Sequence, residues 1–570
     1  MLVWGGPDLE GSMMPRRARI TGTGLAAAAV AGLAALTAAP ARADAGPVPA
    51  VAAAAHRPDP LASPTAGITF PLHTSGASIV DASGSPVRLN LVNWYGAESP
   101  DYVVGGLAYQ PISEIINQIV SMGFNGVRLP WSNQMWESNP TVSATYVKAN
   151  PQFAGEPART VFEQVVQDLA NAGLMVVLDN HNSDAEWCCS TSDGNSLWYN
   201  SAYPQSAWLS DWESMTRQFQ NVPQVIGADL RNEPRGAASW GGSPAGDWHA
   251  AAQQGGNAIL GIDPHWLIFV EGVNYGTDLS GAASLPVTLS VAGQLVYSVH
   301  DYPWDFSNLT DYDSWAGDIQ SQWGYLVGKY PLWVGEFGTC NTSNSCVSGS
   351  SGDGLWFGFI TRFLRYHNVS WSDWAVNGTE SDGLPGQGRS YGTTETFGLL
   401  NPQWNGASLP GLLSGLQGIQ HACPASPVAS GTYYIANRSS GDVIDIPGGS
   451  KAQGTGLDQW PLNHGTNQQW KLTSLGCGLY EITSVSDGQA MEIYNQSTSA
   501  GGHVDQWGYW GGGNQQFLIT RNPAGYETIT NLNSMDLVED PGFSGTAGTK
   551  LDQWPSNGGA NQQWTFTPVS

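Results

Sequence analysis

Two glutamates, each closing an apolar run, are the residues of this 570-residue chain best suited to chemistry. The first lies in Ala228-Asp-Leu-Arg-Asn-Glu-Pro-Arg235, where the apolar run 225–230 delivers Asn232 and Glu233 to a point at which Pro234 stops the strand. The second, Glu336, closes an apolar strand in Pro331-Leu-Trp-Val-Gly-Glu-Phe-Gly338. Two carboxylates brought together from two strand ends can break a glycosidic bond, one protonating the leaving oxygen and the other acting from across the bond. Either glutamate alone reads as a solvated loop residue. The pair, in this order and setting, is far more specific.

Such a pair needs a scaffold that aligns strand ends. Apolar runs recur at 87–94, 124–131, 174–181, 225–230, 266–271, 295–300, 332–337 and 369–374. Between them lie helical patterns, with Ile112, Ile115, Ile116, Ile119 and Val120 over 111–123, then Phe162, Val165, Val166 and Leu169. Strands apolar on both faces, alternating with amphipathic helices, predict an α/β fold, a (β/α)8 TIM barrel over 67–420. A doubly wound open sheet is the other arrangement, but no Gly-rich phosphate loop follows the first strand. In a barrel the C-terminal strand ends form the mouth where substrates bind. Four further strands end there in Arg128, in His181, in His300-Asp-Tyr302 and in Trp374.

This set resembles glycoside hydrolase family 5, whose marks are Arg, His, Asn-Glu, His-x-Tyr, Glu and Trp on successive strands. The likeness spans about 75–415 and is closest to secreted actinobacterial endoglucanases of that family, through Leu197-Trp-Tyr199 and the run 267–272. The resemblance implies that Glu233 is general acid and then base, with a raised pKa. Glu336 is then the ionised nucleophile, hydrogen-bonded by Arg128 and Tyr302. Asn232 would hold the sugar 2-hydroxyl, His181 and His300 would bind hydroxyls or orient the acids, and Trp374 would stack under the sugar before the cleaved bond. Trp94 and Trp131 are further candidate walls. Retention of configuration follows, with the carboxyl groups about 5–5.5 Å apart rather than roughly 6.5–9.5 Å. After the eighth strand, Trp371-Ser-Asp-Trp374-Ala-Val-Asn377 replaces a more aromatic run, so the sugar subsites near the mouth differ. The implied activity is an endo-β-1,4-glucanase acting on cellulose or a related β-glucan. The same machinery on mannan, xyloglucan or another β-glycan is the alternative, and a lectin-like binder with a silent barrel the remote one. The reading calls for no cofactor or metal, since no Cys/His spacing resembles a metal site.

After a Pro/Ala/Ser joint at 421–430, the segment 431–570 repeats itself. Gln468-Gln-Trp470, Gln515-Gln-Phe517 and Gln562-Gln-Trp564 recur every 47 residues, as do Asp458-Gln-Trp460, Asp505-Gln-Trp507 and Asp552-Gln-Trp554. The acids Asp445, Glu492 and Glu539 keep the same interval. Three equal units of short strands predict a small, closed, threefold all-β domain. The triplet resembles the ricin-type β-trefoil of carbohydrate-binding module family 13, in which Gln-x-Trp is chiefly a core-packing signature. The resemblance implies a sugar pocket in the first repeat from Asp445, Trp460, Asn467 and Gln468. The other repeats depart, with Glu492 and Glu539 at the acid position. Asp458 stands where the family has Gln, and the within-repeat cysteines are missing.

Composition fits a protein that presents aromatic faces to sugar rings, and equally any Trp-rich secreted core, so it does not decide between them. Only 12% of residues are charged, against ~25% ordinarily, while Gly numbers 71, Trp 25 and Tyr 20. A net charge of −26 repels nucleic-acid phosphates and anionic membrane surfaces, whereas a neutral polysaccharide is indifferent to it. Basic Arg16-Arg-Ala-Arg19, an Ala-rich run 25–39 and the small-x-small Ala41-Arg-Ala43 predict an export signal over 1–43, and hence secretion. The apolar run falls short of the ~20 residues a membrane span needs. The paired arginines permit a Tat-type route, and Met13 or Met14 suits the start because residues 1–12 resemble no signal. Residues 44–66 read as an Ala/Pro-rich linker, and the mature chain as an extracellular monomer. Its six cysteines are expected to be oxidised. Cys340 with Cys346 is the easiest pair. Cys188 and Cys189 fit either a vicinal disulfide or two separate partners, and Cys423 and Cys477 remain to tie the joint to the second domain.

Overall fold

The computed structural model describes residues 63–569, except 191, 243, 307–308, 350, 385–386 and 421–425. The expected export signal, nearly all of the linker and Cys423 lie outside the described residues. A short hairpin, β1 (His73–Ser75) and β2 (Ser78–Val80), precedes eight strands: β3 (Asn90–Asn93), β4 (Gly126–Ser132), β5 (Met175–Asn182), β6 (Val225–Asp229), β7 (Leu267–Glu271), β8 (Leu295–Asp301), β9 (Leu332–Phe337) and β10 (Ser370–Asp373). These eight close into a parallel barrel, β10 pairing back onto β3. Each coincides with one of the apolar runs.

The strand period of two sorts side chains between the barrel interior and the helical shell. Leu89, Leu91, Met175, Val177, Leu267, Phe269, Val296 and Trp333 cluster as the inner apolar plug. Their neighbours Val92, Val176, Ile268, Val299 and Trp371 join the larger core beneath the helices. Further along the same inward rows, apolar side chains give way to Asn93, Arg128, Asp179, Asp229 and Glu271, all buried. The polar layer at the mouth therefore rests on a dry floor.

The helices cover the barrel as their periodicity predicts. Helix α1 (Ile112–Ser121) buries Ile112, Ile115, Ile116 and Ile119. Gly123 closes it at φ 92, in a place where an added Cβ would stand 2.2 Å from the side chain of Gln420, so only glycine fits. The connection from β7 to β8 departs from the regular barrel, carrying the 3-10 turn Ser280–Ala283 in place of an α-helix. Its Gly- and Ser-rich sequence lowers helix propensity, which explains the substitution.

The C-terminal domain is an antiparallel assembly running from Gly431–Asn437 to Trp564–Pro568, and these two strands pair with each other. Its Gln-x-Trp aromatics are core residues. Trp470 donates its indole N–H to the carbonyl of Ile444 at 3.0 Å, and Trp564 repeats this with Val538 at 3.1 Å. The domain docks on the barrel through two helices, α2 (Tyr312–Gln322) and α3 (Gly352–Tyr366). Asp313 accepts the backbone N–H groups of Gly513 (2.6 Å) and Asn514 (3.1 Å), while Arg362 donates to the carbonyl of Leu532 at 2.6 Å. Leu479 and Leu532 join the core of the barrel. Of the disulfides, Cys340–Cys346 forms as expected, Cys188 and Cys189 are bridged to each other, and Cys477 is disulfide-bonded.

Replacing Asp313 by Ala leaves two buried backbone donors without a partner, at a cost of about 1–3 kcal/mol. Scanning calorimetry of Asp313→Ala is expected to show the C-terminal domain unfolding a few degrees earlier. An unchanged thermogram would mean that this contact contributes nothing.

Candidate active site

The mouth is built around Arg128, whose side chain is completely buried. β4 aims it into the barrel, where its guanidinium meets Asp179 (3.0 Å), Asp229 (2.9 Å), Glu271 (3.1 Å) and Glu336 (2.5 Å). It also donates to the side-chain oxygens of Asn93 and Asn232, both at 3.0 Å. Burial alone would lower the guanidinium, but the four carboxylates outweigh it and hold it charged. Asp229 is raised well above the usual carboxylate range, by burial and then by Glu271.

Glu233 and Glu336 face each other across this layer. Each offers a carboxylate oxygen to a group that also includes an His300 nitrogen, all within 4.8 Å of one another. His300 Nδ1 lies 3.0 Å from Glu233 Oε1 and 3.6 Å from Glu336 Oε2, and Nε2 lies 3.3 Å from Glu271. Burial would depress the imidazole, yet Glu271 and Glu336 hold it well above its ordinary value. Glu336 accepts the Tyr302 hydroxyl at 3.0 Å as well as Arg128. Burial raises its carboxyl, while His300 and Arg128 pull toward the ionised form. Glu233 is the less buried acid, with a side chain 13% exposed and a backbone in the left-handed region at φ 48. His181 is held by Asp179 at 2.7 Å, and Asn232 approaches the other ring nitrogen at 3.4 Å.

The structure thus brings together Arg128, His181, Asn232, Glu233, His300, Tyr302 and Glu336. Trp374 joins them, stacked on Tyr95 at 5.2 Å between ring centres and on His181 at 5.6 Å. Trp94 and Trp131 do not. Asn93 and Arg128 point inward, so by the strand period Trp94 and Trp131 turn outward into the shell, where both are fully buried. The Trp94 indole donates to the carbonyl of Gly105, and Trp131 packs edge-on against Trp212. The aromatic wall comes instead from Trp187, Trp374 and Phe397, backed by the buried ring of Tyr95, with Trp304 stacked on Tyr302 and 63% exposed. The bridged Cys188–Cys189 pair borders the site, its sulfurs within 3.4 and 3.7 Å of the Asn232 amide. Among the residues missed, Glu271 had a visible signal, an acid at the end of an apolar run. The loop aromatics had none, because they meet only through the fold.

In the C-terminal domain, Asp445, Asp458, Trp460 and Asn467 line a pocket of about 410 Å³. Asn467 donates to Asp445 at 2.7 Å, and Trp460 is 46% exposed. Gln468 is buried behind the pocket rather than lining it, bracing the backbone of Asn463 and Pro461. Asp458 faces Asp445 from the neighbouring strand and is paired with Lys550 at 3.3 Å. In the other repeats Glu492 and Glu539 accept from Gln515 and Gln562, below the exposed rings of Trp507 and Trp554.

Comparison with known proteins agrees with this geometry. The profile of the cellulase family, glycosyl hydrolase family 5, matches residues 80–380. That of the ricin-type β-trefoil lectin domain matches 422–507 and 513–570. An endoglucanase of Paenibacillus polymyxa is 35% identical over 367 residues, covering 60% of this chain and 86% of its own length. The major extracellular endoglucanase of Xanthomonas campestris is 30% identical, over 58% of this chain and 70% of its own. An endocellulase of Pyrococcus horikoshii superposes with a TM-score of 0.53 at 26% identity, over 63% of this chain and all of its own.

Removing the buried guanidinium leaves four carboxylates uncompensated, so Arg128→Leu is expected to lose about 3–5 kcal/mol of stability near neutrality. Without Arg128 those carboxyls take folded pKa values above their unfolded ones. Their stability is then present while they are protonated and lost as pH rises through the folded values. The deficit should therefore shrink between about pH 7 and about pH 5. Urea unfolding of variant and parent at both values checks this, and a deficit independent of pH would refute it.

Proposed function

The chain belongs to glycosyl hydrolase family 5, and from that premise we propose that it is a secreted, retaining endo-β-1,4-glucanase with a sugar-binding trefoil. The observation that carries the reading is the placement of Glu233 and Glu336, with carboxylate oxygens within 4.8 Å of each other across the barrel mouth. So close a pair leaves no room for a water between one carboxylate and the sugar, which favours a nucleophile over a general base at Glu336. The relatives named as endoglucanases support the choice of polymer.

In the first half-reaction the Glu336 carboxylate attacks the anomeric carbon. Glu233 gives its proton to the departing glycosidic oxygen, so that the bond to the leaving chain breaks as the ester to Glu336 forms. In the second, Glu233, now ionised, takes a proton from water. The hydroxide equivalent displaces Glu336 from the same carbon, restoring both groups and the original configuration. Arg128 and Tyr302 hold Glu336 as a carboxylate before attack and after release. Asn232, fixed by Arg128, offers its amide N–H to the sugar 2-hydroxyl. Trp374 supplies an apolar face for the sugar that becomes covalently bound. The export signal would deliver the enzyme to an extracellular polymer, and the Asp445–Trp460–Asn467 pocket would hold that polymer near the cleft.

Glu336→Gln is expected to lose at least about a thousandfold in kcat on an aryl β-cellobioside. Turnover unchanged from the parent would remove Glu336 from the reaction. Reducing-sugar release from carboxymethyl cellulose and mixed-linkage glucan should exceed that from glucomannan, galactomannan, xyloglucan and xylan, with the first anomer detected by NMR being β. Dominant release from a mannan or xyloglucan would keep the mechanism and replace the polymer, and an α product would overturn retention. Trp460→Ala should weaken binding to insoluble glucan while sparing kcat/KM on the soluble aryl substrate.

A further inference from the structure

Glu271 takes no part in the bond-breaking steps given above, yet it touches Arg128, His300 and the backbone of Glu233. It ends β7 with its side chain wholly buried, its backbone carbonyl fixed by the Trp248 indole at 2.8 Å. One carboxylate oxygen, Oε2, accepts the backbone N–H of Glu233 at 2.7 Å. The other, Oε1, lies 3.1 Å from Arg128 and 3.3 Å from His300 Nε2. His300 turns its second nitrogen to Glu233 Oε1 at 3.0 Å. Glu271 therefore grips Glu233 at both ends, at the backbone directly and at the carboxylate through the imidazole.

The grip is needed because of how Glu233 is held. Its φ of 48 is a left-handed conformation that a side-chain-bearing residue keeps only when its surroundings impose it. Gly276, in the loop after β7, closes over the contact, and a Cβ there would stand 3.1 Å from Glu271 Oε2 and 3.0 Å from His300 Cγ. Two hydrogen-bond donors, the Glu233 N–H and Arg128, converge on one side chain, and the His300 imidazole pairs with it by charge at 3.3 Å. An ionised carboxylate can serve all three. A glutamine must turn an N–H toward one, and an aspartate is one methylene short of the same reach.

We propose that Glu271 is the positioning residue of the acid/base Glu233, fixing its left-handed backbone and, through His300, the direction of its carboxyl group. This rests on the reading of Glu233 as general acid and base. A residue that only balanced the charge of Arg128 would act on Glu336 and affect every substrate alike. A residue that positions the acid matters in proportion to how much protonation the leaving group needs.

The test compares kcat/KM of Glu271→Gln and Glu271→Ala with the parent on phenyl β-cellobioside, a poor leaving group, and 2,4-dinitrophenyl β-cellobioside, which departs unaided. Expected is a loss on the order of 10²-fold on the first and less than about tenfold on the second, in line with the worth of a general acid. Azide, which needs no base to attack the glycosyl-enzyme, should restore turnover of the dinitrophenyl substrate. Equal losses on both substrates, no loss on either, or no response to azide would each overturn the proposal. If the Ala variant does not fold, the isosteric Gln variant decides, with its melting temperature recorded. Glu233→Ala, measured in parallel, separates the two layers. If it lacks leaving-group dependence, the acid/base reading itself fails. If it shows the dependence and the Glu271 variants do not, only the positioning role fails.

Discussion

A single guanidinium, that of Arg128, sets the geometry of the barrel mouth. Five N–H donors in a rigid fork reach Asp179, Asp229, Glu271, Glu336, Asn93 and Asn232 from one planar group, a task the compact charge of a lysine would not meet. Such a cluster is a poor way to gain stability, because removing these charges from water costs several kcal/mol per ion, which attraction only partly offsets. It is a good way to fix positions. Every strand from β3 to β7, and β9, contributes a group within reach of Arg128 or just beyond its own end, so the strand ends are locked to one another by charge. His181 and His300 sit on the next layer and take their orientation from the acids beneath them, Asp179 and Glu271. Glu233 and Glu336 are thus the outermost members of a polar stack whose base is dry.

What could be read from the sequence follows from this architecture. Barrel strands buried on both faces appear as plain apolar runs, so all eight were legible, and a charged residue ending such a run stands out. Arg128, Glu233, His300 and Glu336 were found that way. Trp94 and Trp131 were not, because an apolar run on both faces does not say which side each residue takes. Arg128 at an inward position sends Trp131 to the helices, and Asn93 does the same for Trp94. Glu271 ends its run as Glu336 does, but its partners are donors from three other segments, and no spacing in the chain records them. Trp374 shows at its strand end, but Tyr95 and Trp187 reach it only through the fold and are invisible for the same reason. The alternation of strand and helix lapses between β7 and β8, where small polar residues leave a 3-10 turn.

The trefoil shows the opposite balance. Its repeat was legible as an interval, and the interval carries the fold, since Trp470 and Trp564 make equivalent bonds in their own units. The differences between units carry the rest. Asp445 faces a pocket flanked by Asp458 and Lys550, whereas the turn of the second unit, at Gly513 and Asn514, is engaged by Asp313 of the barrel. The second unit, helped by Leu532 and Asn533 of the third, serves as the attachment.

That attachment changes what the second domain can do for the first. The described residues of barrel and trefoil belong to one compact unit, and Asp313 and Arg362 clasp the trefoil directly. A module on a flexible tether raises the local concentration of substrate by sweeping a volume set by the length of its linker. A clasped module sweeps none. It offers its partner one approach vector, so a chain seated in the trefoil either lies in line with the cleft or is kept out of it, and the lever that governs access is the bearing of one domain upon the other.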